Sequence, residues 1–127
     1  MTSKEEIRRF LLTFKQVVTS GSGVDLVPRR DTLRTLSFLG LTKKNLEEIL
    51  LGLSVVDYCK GPIEDKDRGG ELWEFGKNMD GYEVYIKLKV VDTASIKISR
   101  CISFHISKYP MKYPFKDDPQ DDEERKP

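Results

Sequence analysis

The sequence predicts an α+β domain: N-terminal helices packed on an antiparallel sheet of about four strands. Three observations carry this. Apolar residues recur at helical spacing as far as Leu53. From about Val55 the apolar period shortens to two. Asp80-Gly81, set between two alternating runs, is a strong short hairpin signal.

The first helix opens on Ser3, with Glu6 three residues on as the other half of a capping box. Ile7, Phe10, Leu11, Phe14, Val17 and Val18 form its apolar stripe, and the Gly-Ser-Gly at 21–23 stops it. "VDLVPRR" reads as a short extended stretch, with Pro28 excluding a central strand. Asp31 is positioned to cap a short helix carrying Leu33, Leu36 and Leu39, ended by Gly40. Thr42 caps the next, whose face is Leu46, Ile49, Leu50 and Leu53, and Leu41 with Leu46 makes a hydrophobic staple. A DNA-reading helix-turn-helix fits poorly, because Glu47 and Glu48 stand on the second helix. "VVDYCK" opens the strand region, and 61–70 reads as a solvated loop without the ligand spacing of a calcium loop.

A two-residue turn at Asp80-Gly81 pairs Trp73 with Leu88, Phe75 with Ile86 and Lys77 with Val84. Trp73, Phe75, Val84, Ile86, Leu88 and Val90 then share a core face. Glu74, Tyr85, Lys87 and Lys89 share the opposite one. In "IKISRCISFHIS", Ile96, Ile98, Ile102, Phe104 and Ile106 alternate with Lys97, Ser99, Cys101, Ser103 and His105. Arg100 falls on the apolar parity, which signals a bulge or a sheet edge there.

The 127 residues suffice for one domain with its own core, read as residues 1–116. Residues 117–127 read as a disordered acidic tail. That tail holds six acids against Arg125 and Lys126, a charge of −4, so the other 116 residues carry +5 of a net +1. A modestly basic body suits a polyanionic partner. One histidine and two cysteines without a C-x-x-C pair argue against a structural zinc site and for reduced thiols in a cytoplasmic protein. No run approaches the length of a membrane span, and the first residues lack the apolar core of a signal peptide.

The wet sheet face collects groups suited to phosphate chemistry. Lysines neutralise charge that grows on phosphate oxygens. Histidine gives and takes a proton near neutral pH. Tyrosine hydrogen-bonds a phosphate or stacks on a base. The same composition is also that of an ordinary exposed strand surface, with Glu74–Lys87 a cross-strand ion pair.

The ordered runs "GLSVVDYCKG", "LWEFGK", "GYEVYIKLK" and "CISFH" resemble the MqsR family of toxins from bacterial toxin–antitoxin pairs. The resemblance spans roughly residues 40–106. It implies a RelE/YoeB-like fold and a metal-free, cofactor-free mRNA interferase. It also implies a partner antitoxin, usually one with a DNA-binding domain. Carried over position by position, it implies site residues Lys60, Glu74 (where glutamine is more usual), Tyr85 and His105 (where lysine is common). The expected reaction is attack of the RNA 2′-OH on the adjacent phosphate, with His105 as acid or base and Glu74 as its counterpart. Tyr85 and Lys60 are expected to assist, and Lys87, Lys89 and Lys77 to bind substrate. The alternatives are a non-catalytic module that docks a nucleic acid or an acidic protein through the same face, and an accessory protein working through its helices.

Overall fold

The computed structural model describes residues 2–21 and 23–117. The expected tail from 118 onward lies outside the described residues. The fold is α+β, as the sequence predicts, with the elements in the order α1 (Lys4–Ser20), β1 (Asp25–Leu26), α2 (Arg30–Leu39), α3 (Lys43–Leu51), a 3-10 turn (Val55–Asp57), β2 (Tyr58–Glu64), β3 (Glu71–Met79), β4 (Tyr82–Asp92) and β5 (Lys97–Ile106). The sheet has five strands rather than four, ordered β1-β5-β4-β3-β2, and it is mixed: β1 runs parallel to β5 while the other pairs are antiparallel.

The helix caps follow the sequence closely. Ser3 and Glu6 exchange both bonds of a capping box, and Thr42 does the same with Asn45. Gly40 ends α2 in the left-handed conformation, φ 68°, which glycine enters without steric cost. The start of α2 differs from expectation. Its N-cap is Arg29, without a side-chain cap bond, and Asp31 lies in the first turn. Asp31 still favours that end, since its charge complements the helix dipole.

The hairpin register is the expected one, from Met79 opposite Tyr82 through Trp73 opposite Leu88. Its core face packs on α1, and the apolar face of α3 joins the same core. Ile7, Phe14, Leu46, Leu50, Phe75, Ile86, Leu88 and Phe104 are fully buried in one cluster. Burying each such side chain stabilises the fold by about 1.5–3 kcal/mol before conformational entropy is counted. Phe10 stacks on Trp73 with ring centroids 4.7 Å apart.

β5 departs from simple alternation. Its pairing with β4 shifts between Lys87 opposite Ser103 and Leu88 opposite Cys101, which leaves Ile102 as the extra residue of a bulge. The bulge reverses the faces of the first half of the strand. Ser99 and Cys101, expected on the wet face, are buried in the core. The Ser99 hydroxyl donates to the Phe14 carbonyl at 2.8 Å. Arg100 accordingly joins the wet face, opposite Lys89. The sequence anomaly at Arg100 marked the bulge two residues early.

β2 reaches further into the polar stretch than expected and carries Pro62. It is an edge strand, where a missing N–H costs no ladder bond. The opposite edge is closed differently. Beyond the two residues of β1, the buried hydroxyls of Thr32 and Thr35 on α2 accept the β5 amides of Phe104 and Ile106 at 3.2 and 3.3 Å. Two threonines one turn apart thus stand in for a sixth strand. Among the described residues, no helix is long and apolar enough to cross a membrane.

Candidate functional site

Strand pairing sets two adjacent rows of side chains on the wet face. One row runs Lys60, Glu74, Lys87 and Ser103 across β2, β3, β4 and β5. The next runs Gly76, Tyr85 and His105. Five of the seven residues singled out from the sequence therefore share one patch: Lys60, Glu74, Tyr85, Lys87 and His105.

His105 is half-buried, and its Nδ1 lies 3.0 Å from the Ile106 carbonyl oxygen. A carbonyl only accepts, so this contact places the ring proton on Nδ1 and leaves Nε2 as the basic nitrogen of the neutral imidazole. The ring sits 5.1 Å from that of Tyr85, tilted by 34°. Tyr85 donates its hydroxyl to Glu74, and burial together with the Glu74 carboxylate raises the phenol well above its ordinary value. Tyr85 consequently stays protonated at any physiological pH and acts as a donor. Lys87 Nζ lies 6.0 Å from the Tyr85 ring centre, within cation–π range.

Lys89 and Lys77 take other places. Lys89 is 4% exposed and its Nζ is consumed by Asp65 Oδ2 at 2.7 Å and the Gly69 carbonyl at 2.6 Å. It anchors the loop between β2 and β3, and its burial and the Asp65 carboxylate take its charge out of the exposed patch. Lys77 shares the parity of Trp73 and Phe75 and pairs with Asp57 at 3.5 Å, on the other side of the sheet.

Arg29 was not singled out from the sequence. Its Nη1 donates to Ser103 Oγ at 3.4 Å, and its charge reaches Tyr85. Arg29 also lines a small hollow of about 190 Å³ with Thr32, Ser103 and His105. The signal was present in "VPRR", where Pro28 ends the extended stretch and the following cations enter the turn into α2. Its distance to His105 in the chain kept the pairing out of sight.

The segment after β5 crosses the far end of the patch. Glu83, on the wet face, accepts the Met111 amide at 3.0 Å and the Tyr113 hydroxyl at 2.9 Å. The Tyr113 ring lies on Gly76, where a Cβ would stand 2.9 Å from two of its ring carbons. A side chain at that position would displace the ring.

Cys59 does not supply a nucleophile. Burial and the Glu74, Glu83 and Asp57 carboxylates push its thiol up to about 12, so the thiolate is scarce at neutral pH. Cys101 is likewise pushed up to about 12 by burial. Among the described residues no three His, Cys, Asp or Glu side chains converge as a metal-ligand set. Comparison of the chain with protein-family models, with curated proteins and with solved structures returns no match, so the site rests on its own geometry.

Proposed function

We propose that this protein is a metal-independent endoribonuclease acting in the cytoplasm. The observation that supports the reading best is the orientation of His105: Nδ1 tied to a backbone carbonyl, Nε2 open as a base, in a patch that also holds Tyr85, Glu74, Lys87 and Arg29. RNA brings its own nucleophile. His105 Nε2 takes the proton of a 2′-OH, the oxygen attacks the adjacent phosphorus, and the bond to the 5′-oxygen breaks. That oxygen takes a proton from solvent water as it leaves, giving a 2′,3′-cyclic phosphate and a 5′-hydroxyl. Glu74 is the second proton-transfer candidate, held in place by Tyr85. Arg29 and Lys87 stabilise the charge that builds on the phosphorane oxygens, and Lys60 extends the cationic row at the sheet edge. On the motif resemblance, the proposed physiological role is the toxin of a type II toxin–antitoxin pair, with mRNA as substrate and an antitoxin as partner.

The test is cleavage of a defined single-stranded RNA by the purified full chain in EDTA. His105→Ala is expected to lower the rate roughly 10²–10⁴-fold while melting as the parent does. Undiminished cleavage by that variant overturns the mechanism. RNA bound by the parent chain but never cut overturns the nuclease reading in favour of a docking module.

A further inference from the structure

The bulge in β5 places Ile102 where the wet face would otherwise carry a polar residue. Half-buried Ile102 and Leu72 thereby form an apolar floor in a second hollow of about 470 Å³ beside the His105 patch. One wall is Leu26–Arg29, and the other is the loop carrying Asp65 and Arg68. Two of the cations around it are already paired: Arg100 to Asp25 at 2.6 Å and Lys89 to Asp65 at 2.7 Å. Among the described residues no carboxylate pairs with Arg29, Arg68 or Lys87, so the hollow presents three cations without an ion-pair partner against the carboxylate of Asp67. An apolar floor between cations fits a ligand with a flat apolar body and an anionic handle.

We propose that this hollow is a nucleotide subsite, taking one nucleobase on Ile102 and Leu72 with Arg68 against it, and its phosphate between Arg29 and Lys87. Stacking of bases on guanidinium planes and apolar side chains is how unpaired nucleotides are commonly held. Arg29 lines both hollows, so a phosphate at that boundary is shared between the subsite and the His105 patch. The hollow is one two-residue step along β4 from that patch, Lys87 and Lys89 against Tyr85. That step is about 7 Å, close to the span of one extended nucleotide. That the bound nucleotide flanks a scissile phosphate rests on the ribonuclease reading; that the hollow binds nucleotides does not.

The experiment titrates the full chain with each 5′-nucleoside monophosphate, with ribose 5-phosphate and with inorganic phosphate, following amide chemical shifts and binding heat. At least one nucleotide is expected to bind at least tenfold tighter than ribose 5-phosphate, with shifts centred on Leu72, Lys87 and Ile102. Ile102→Ser and, in the exposed loop, Arg68→Ala are each expected to lower that preference severalfold; Arg68→Ala leaves the core untouched and so reads the site even where Ile102→Ser unfolds. Equal affinity for nucleotide and ribose 5-phosphate, or shifts confined to another surface, overturns the proposal. The two readings fail separately. RNA cleavage lost in His105→Ala without any nucleotide preference overturns the subsite alone. Nucleotide binding without cleavage by the parent chain overturns the nuclease alone.

Discussion

Gly76→Ala offers a close test of the arrangement at the end of the patch. Its backbone lies outside the left-handed region, so the methyl group brings no backbone strain. The methyl would overlap the Tyr113 hydroxyl and stand 2.9 Å from ring carbons Cε1 and Cζ. The Tyr113 ring is the movable partner, held by its bond to Glu83 at 2.9 Å, so the ring lifts and the bond breaks. A hydrogen bond to a carboxylate contributes about 1.5–3 kcal/mol. Alanine recovers about 0.5–1 kcal/mol over glycine inside a strand. The net loss is then about 1–2 kcal/mol, or roughly 4–8 °C in Tm for a domain of this size. The decisive measurement is a urea-unfolding double-mutant cycle with Tyr113→Ala. In that background Gly76→Ala should be neutral or stabilising, with a coupling energy of about 2 kcal/mol. Equal cost in both backgrounds refutes the contact and, with it, the seat of the C-terminal segment on the sheet.

Tyr85→Phe keeps the ring and removes the donor to Glu74; the loss of about 1.5–3 kcal/mol should slow RNA cleavage roughly ten- to a hundredfold, and an unchanged rate separates Tyr85 from the chemistry. The hydrogen bond from Lys89 holds the Asp65 carboxyl below its ordinary value, so this pair stabilises the fold above the unfolded carboxylate range and ceases to do so as pH falls through the lower, folded value. Lys89→Met should therefore flatten the acid limb of a Tm-against-pH curve, and an identical limb counts against the anchor. Thr35→Val leaves the Ile106 amide without its acceptor. It should cost about 1–3 kcal/mol in denaturant unfolding, with faster hydrogen exchange at Ile106; slow exchange at that amide would mean the helix does not close the edge.

Much of the site was legible because a hairpin with a two-residue turn has only one register. Asp80-Gly81 fixes Glu74 beside Lys87 and Tyr85 beside Gly76 without any tertiary information. His105 followed because the half of β5 beyond the bulge keeps its parity. The half before it does not, and composition gives no count of bulge residues; only Arg100 on the wrong parity betrayed one. Lys87 and Lys89 are indistinguishable in the sequence, yet the second is buried because Asp65 and the Gly69 carbonyl, both in a loop, converge on it. Pairings of that kind depend on how a loop folds back, and no periodicity encodes them. The parallel pairing of β1, the edge closure by Thr32 and Thr35, and the reach of Arg29 to Ser103 all join residues some 70 or more positions apart. Local pattern is silent at that range.

Among the described strands β5 is the last to be synthesised and yet an interior one, flanked by β4 and β1. Until residues 97–106 leave the ribosome, the hydroxyls on α2 have no amides to receive and the hairpin has an open side. The imidazole arrives with the same ten residues that complete the sheet. A chain terminated before residue 97 thus carries no weakened version of the patch, and whatever reactivity the fold has begins only once that strand has joined the sheet.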